Sequence, residues 1–170
     1  MGRLPPNAFA DATAADVSLL PPPAMFGLSR VHLEPMPPRA MAGMRPEQVR
    51  QMPPDAVGGI KPDQMGAMPP EAFAGFRPAQ VEALQPETFG AIQKAQIEAI
   101  QSNIIGALKP KQFEALKPET VGALQPAQLE ALQPETFGAL QPAQIETIQS
   151  NIFGALKPKQ FEALKPETVG

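Results

Sequence analysis

Apolar and polar positions follow each other along this chain in repeating units of eight, which we call octads, counted from Pro6. The fourth and seventh residues of these octads are apolar, and the first residue is Pro in 16 of 21 octads. The unit therefore reads Pro-x-x-apolar-x-small-apolar-polar. A short, fixed period of this kind is typical of a solenoid, in which each unit contacts mainly its neighbours.

The apolar positions also predict the core. The fourth and seventh residues lie three apart, so they share one face of a helical turn. None of the 21 fourth positions is polar, from Phe9 to Val169. The side chains that we expect in the core are Phe73, Val81, Phe89, Ile97, Ile105, Phe113, Val121, Leu129, Phe137, Ile145, Phe153 and Phe161.

Each octad has the composition of one short helix. Pro suits the first helical position, because the N–H that it lacks has no partner there. Ala, Leu, Glu, Gln and Lys, which fill most other places, are strong helix formers. One continuous helix would rotate its apolar face by about 80° per octad, and Pro would break it repeatedly. The sequence therefore predicts an all-α solenoid with one Pro-started helical segment of about one and a half turns per octad.

A β-solenoid is the alternative. A spacing of three and five positions between apolar residues does not exclude it. Strands, however, favour β-branched residues and a period of two, and each Pro would remove a ladder N–H. The composition favours the helical solenoid.

Two longer periods lie over the octad. From Val81 onward the fifth position alternates between Glu and Gly, so the full period is a pair of octads. We expect the Glu side chains to form a solvated stripe, and the Gly residues to mark either a close backbone approach or a helix C-cap. The blocks 75–122 and 123–170, of six octads each, are nearly identical. We therefore divide the chain into degenerate octads at 1–37, a cap or a partly disordered segment, and a regular solenoid at 38–170.

The candidates for chemistry are few. His32 is the single histidine, and we expect it at the surface. Ser102 and Ser150 stand where Pro otherwise stands, and we interpret them as helix N-caps. The carboxylates are spread along the chain and are not gathered into a dyad or a calcium loop. Without Cys there is no thiolate site or disulfide. The sequence predicts a protein that is not an enzyme and has no cofactor or metal site.

Charge and composition limit the classes of partner that we expect. A net charge of −3 and the absence of Trp and Tyr argue against a nucleic-acid partner. The sequence has no run of eighteen apolar residues and no N-terminal segment of signal-peptide type, so we expect no membrane insertion. Its 23 Pro and 13 Gly residues would favour disorder in an aperiodic chain. Here the regular spacing of apolar residues favours an ordered core.

The octads resemble a known type of repeat. Arg45-Pro46-Glu47-Gln48-Val49, the segment 68–75 and the segment 123–132 are similar to the octapeptide arrays of Thr/Pro-x-Gln-apolar-x-Ala-Leu type in large bacterial secreted and cell-surface proteins. The resemblance implies an extracellular or cell-surface stalk, adhesin segment or filament component, and no catalytic residue. The chain departs from the arrays in having Gln or Lys where Thr often precedes Pro.

These observations predict a structural protein. Near-identical octads favour an extended rod that associates with copies of itself head to tail, as a filament or extracellular scaffold. The octad that begins at Pro166 is interrupted after Val169 and Gly170, which also favours continuation by further repeats. The alternative is a protein-binding solenoid or a spacer segment of a larger surface adhesin.

Overall fold

The prediction of an all-α solenoid is confirmed. A computed structural model describes residues 4–148, 154 and 156–164, and these residues form short helices without any strand. The α-helices are Ala14–Leu19, Arg30–Leu33, Pro38–Met41, Pro46–Gln51, Pro54–Val57, Pro62–Ala67, Pro78–Ala83, Pro86–Phe89, Lys94–Glu98, Ser102–Ile105, Pro110–Glu114, Pro118–Val121, Pro126–Glu130, Pro134–Phe137, Pro142–Glu146 and Pro158–Ala163. Pro22–Gly27 and Pro70–Gly75 are 3₁₀ helices.

Each helix begins where the octad begins. Pro78, for example, is the first helical residue, and the preceding Arg77 is extended, with φ −114° and ψ 156°. The extended residue before each Pro breaks the helix and lets the chain turn. The interpretation of Ser102 as an N-cap is wrong: Gln101 is the cap, and Ser102 takes the first helical position. Ser150 lies outside the described residues.

The helices coil into a regular superhelix. Side-chain hydrogen bonds join residues 28 positions apart, for example Gln80 to Met52 and Thr88 to Ile60. This spacing corresponds to three and a half octads per turn. Helices that begin three octads apart pack on each other, as Pro46–Gln51 does on Pro70–Gly75. Octads thus contact the octads three and four places away, in the turns before and after.

The fourth and seventh positions point into one continuous core. Among the twelve expected core residues, the ten from Phe73 to Ile145 are at most 8% exposed. Phe153 lies outside the described residues. The expectation fails for Phe161, which is 46% exposed. Its octad belongs to the last described turn, and no described octad three or four places further on packs over it.

The same core extends to the N-terminal octads. Val17, Met25 and Leu33 are fully buried although they lie within the degenerate region 1–37. Phe9 and Ala12 are partly buried and pack against this core. The described part of the region therefore belongs to the solenoid.

The fifth-position glycines Gly90, Gly106, Gly122 and Gly138 mark a close approach between turns. They are C-cap residues, but they are right-handed, as at Gly106 with φ −63°, and none of the described glycines has a positive φ. A Cβ atom on Gly106 would lie 2.7 Å from the carbonyl oxygen of Ala131 in the next turn. Close packing therefore explains the glycine, and a left-handed cap does not. The alternating Glu82, Glu98, Glu114, Glu130, Glu146 and Glu162 are exposed, as predicted.

Candidate functional site: hydrogen-bonded rungs between turns

A glutamine at the third position of every second octad joins the turns. In Gln128, Oε1 accepts a hydrogen bond of 2.8 Å from the backbone N–H of Gln125, the N-cap of its own helix. Its Nε2 donates to the carbonyl oxygens of Ile97 and Ile100, each at 2.8 Å, in the preceding turn. We call this set of three hydrogen bonds a glutamine rung.

The rung recurs in every second octad from Gln48 onward. Oε1 accepts from the N-cap N–H at 2.8–3.0 Å, and Nε2 donates to the carbonyls 31 and 28 residues earlier at 2.6–3.1 Å. The glutamines are Gln48, Gln64, Gln80, Gln96, Gln112, Gln128, Gln144 and Gln160, all at most 3% exposed.

Glutamine suits this place because the rung needs one acceptor and two donors on one side chain. The amide offers both, whereas Glu would bring only acceptors and a buried charge. Three of the octads between them have smaller rungs: the hydroxyl groups of Thr88, Thr120 and Thr136 donate at 3.0–3.2 Å to the carbonyl 28 residues earlier. These polar core residues were not predicted from the sequence, although Gln recurs at the third position of every second octad, which is a signal for them.

His32 takes the place of glutamine one octad pair before Gln48 and makes two of the three bonds of a rung. Its Nδ1 accepts from the Ser29 backbone N–H at 3.0 Å, and its Nε2 lies 3.1 Å from the carbonyl oxygen of Leu4, 28 residues earlier. An acceptor on Nδ1 requires the hydrogen to be on Nε2, which then donates to Leu4. The expectation that His32 is a surface residue is wrong, since it is 7% exposed. It is buried because it makes two of the hydrogen bonds that Gln makes in later turns.

Asp16 takes the third position one octad pair earlier. Its carboxylate accepts from the Thr13 hydroxyl at 2.6 Å and from the Thr13 N–H at 2.8 Å, and the Asp16 N–H donates to the Thr13 hydroxyl at 3.2 Å. These bonds, first the hydroxyl and then the N–H, hold the pKa of Asp16 below its ordinary value of 3.8. Asp16 thus caps its own helix but has no donor for a preceding turn.

The face of the first turn is an open, apolar groove. Its volume is about 1230 Å³, and Leu4, Phe26, Gly27 and Val31 are among its lining residues. At the equivalent sixth position Gly75 lies so close to the carbonyl oxygen of Pro46 that a Cβ atom would overlap it, whereas a Cβ atom on Gly27 would meet nothing within 4 Å. The groove is therefore the space that a preceding turn fills elsewhere in the solenoid.

The last described turn presents the opposite half of a rung. Ile145 and Ile148 are the fourth and seventh residues of their octad. In each earlier octad of this type, the carbonyl oxygens at these two positions accept hydrogen bonds from a Gln side chain. The donor in register with them would be residue 176, past the last residue of this sequence. The two ends differ in chemistry: acceptors at the C-terminal turn, and Asp16 and His32 at the first.

The buried polar side chains of the described residues are used in hydrogen bonds. Among the described residues, each buried side-chain nitrogen or oxygen has a hydrogen-bond partner. Within the same residues no group of three His, Cys, Asp or Glu side chains could hold a metal ion, and no helix is long and apolar enough to span a membrane. No family model and no curated protein sequence matches this chain. The arrangement is suited to joining turns to turns.

Proposed function

We propose that this is a structural repeat protein, an extended rod or stalk that is lengthened end to end into a filament or scaffold. Further octads, from a continuing polypeptide or from a second copy, would stack on its C-terminal turn. The resemblance to octapeptide arrays of bacterial surface proteins supports a location outside the cell.

The acceptor pair of Ile145 and Ile148 carries this proposal. Every earlier turn that presents such a pair receives a Gln side chain, for example Leu129 and Leu132 from Gln160 at 2.8 and 3.0 Å. The Ile145 carbonyl accepts from the Ile148 N–H at 3.0 Å, as the Leu129 carbonyl accepts from the Leu132 N–H at 3.2 Å, and a carbonyl oxygen can accept a second hydrogen bond. A stacked turn with Gln in register would add that second bond and stabilise the end. Because each turn is equivalent, the same contact can be repeated without limit.

The test is to append a second copy of block 123–170 after Gly170. The copy of Gln128 would then be residue 176, in register with Ile145 and Ile148. The six added octads make about 1.7 turns, which should lengthen the rod by roughly 15 Å in small-angle scattering, at the usual distance between packed helices. Amide hydrogen exchange at Ile148 should slow as the new turn covers it.

The matched control has Ala in place of each third-position Gln of the appended block. It has the same length but no rung, so we expect it to protect the C-terminal turn less. An appended block that exchanges its amides as fast as an unfolded chain, with or without Gln, would show that the C-terminal turn is not a stacking surface. Electron microscopy of the extended chain would distinguish longer rods from side-by-side pairs.

A further inference from the structure

The first turn is partly covered by the N-terminal residues of its own chain. Residues 4–12, which we call the N-terminal strap, form consecutive turns with hydrogen bonds from Ala8 to Pro5, Ala10 to Asn7 and Ala12 to Phe9. Phe9 and Ala12 pack against the core, and His32 holds the carbonyl of Leu4. The strap is thus anchored at both ends.

The strap lies in the register of a preceding turn. Leu4 precedes His32 by 28 residues, as Leu20 precedes Gln48. On every later turn of the solenoid, a whole preceding turn packs against this face. On the first turn, the strap covers only part of it. The rest of this face is the groove beside Gly27.

A second copy that continued the solenoid would compete for the same place. The octad that would follow the one at Pro166 begins at position 174. Because the two octad types alternate, octad 14–21 of the second copy is the one that would take this position. With this shift of twenty octads, Leu4 of the second copy coincides with Leu164 of the first, and both are seventh-position residues. The strap and the end of the first copy cannot occupy one place together.

In the same register, Asp16 of the second copy would lie opposite the acceptor pair of the first copy. Asp16 of the second copy would stand at position 176, opposite the carbonyl oxygens of Ile145 and Ile148. A carboxylate has no hydrogen to donate to them, and stacking would bury its charge. Glutamine at this position would instead complete the rung.

We propose that the N-terminal turn is closed against end-to-end stacking by two features, the strap and Asp16. The strap covers in the same chain the surface that the C-terminal turn of a second copy would cover, and Asp16 withholds the donor that the joint requires. This inference rests on the proposed function and narrows it: the octads that stack on the C-terminal turn would be those of further repeats and not the first turn of a second wild-type copy.

The experiment opens the blocked end in the full chain. Phe9→Ser removes the apolar anchor of the strap, and Asp16→Gln supplies the donor. The double variant should form end-to-end oligomers at neutral pH and high micromolar concentration in sedimentation, while the wild-type chain stays monomeric. Electron micrographs should show rods of unchanged width and multiple lengths.

The control is Phe9→Ser with Asp16→Ala, which removes the same charge but adds no donor. Its dissociation constant should be on the order of tenfold higher than that of the Phe9→Ser, Asp16→Gln chain. Slow amide exchange at Gln128 and Gln144 would show that the body of each variant is folded.

Three outcomes would overturn the inference: wild-type chains that stack as tightly as the double variant, equal association of the Gln and Ala variants, or a folded double variant that stays monomeric. The proposed function is judged separately, by whether the appended block stacks on the C-terminal turn. If that block stays unfolded, the proposed function fails by itself.

Discussion

The Gln128 side chain donates a hydrogen bond of 2.8 Å to the carbonyl oxygen of Ile100, 28 residues earlier in the chain. Gln128 is 3% exposed, so the bond lies in the interior and ties two turns of the superhelix. An isolated helix of a single turn is unstable in water because nucleation is costly. The stability of these short helices must therefore come from contacts between turns, of which the rungs are the polar part.

Removing a glutamine rung should cost more than removing a threonine rung. Gln80→Ala loses three hydrogen bonds and leaves the backbone N–H of Arg77 without its partner, so we expect about 3 kcal/mol of destabilisation. Thr88→Ala loses one bond to Ile60, and we expect about 1 kcal/mol. Urea unfolding of both variants measures the difference. Equal losses would show that the rungs contribute no more than local capping.

Two glycine-to-alanine substitutions should change the free energy of unfolding in opposite directions. Gly106→Ala would place its Cβ 2.7 Å from the backbone oxygen of Ala131, so we expect about 1–3 kcal/mol of destabilisation. Gly66 lies within the helix Pro62–Ala67, and a Cβ atom there would lie 3.6 Å from the nearest oxygen, an ordinary contact. Gly66→Ala should stabilise by up to about 1 kcal/mol through helix propensity. Thermal unfolding measures both, and a stabilised Gly106→Ala chain would contradict the close approach between turns.

His32 should be replaceable by the residue that takes its place elsewhere. His32→Gln keeps an acceptor for the Ser29 N–H and a donor for the Leu4 carbonyl, whereas His32→Ala keeps neither. Amide exchange at Ala8, Ala10 and Ala12 should stay slow in His32→Gln and become faster in His32→Ala. If both variants release the strap, the imidazole ring is needed for its shape and not for its hydrogen bonds.

Asp16 should make the first turn sensitive to acid. Its pKa is lowered in the folded chain by the Thr13 hydroxyl and N–H, so the unfolded chain takes up the proton first as the pH falls. The stabilisation is fully present above the unfolded value of about 3.9 and is lost as the pH falls through the lower folded value. Asp16→Asn, which does not titrate, is the control.

The measurement for Asp16 is a series of urea unfolding experiments from neutral to strongly acidic pH. The wild-type chain should lose stability relative to Asp16→Asn only below about pH 4. A direct titration of the Asp16 carboxyl by NMR should give a pKa below 3.8. A pKa at or above 3.8 would mean that the Thr13 cap does not form in solution.

The local structure could be predicted from the sequence because its signals are short-range. Pro at the first position, helix formers after it and apolar residues three apart determine where each helix begins and which face is buried. This is why Pro134–Phe137 begins at its Pro and Phe137 is fully buried. The exposed Glu stripe follows from the same octad pattern.

The site depended on the pitch of the superhelix, which no local pattern contains. The partners of Gln112 are Val81 and Leu84, and they become neighbours only because one turn takes 28 residues. Before that spacing is known, Gln112 is an ordinary polar residue in a first helical turn, Gly106 is equally well a cap, and His32 has no partner. The sequence by itself determined the short helices and their apolar face; the tertiary structure decided which turns meet, because contacts between turns join residues whose distance along the chain is set by coiling and not by the octad.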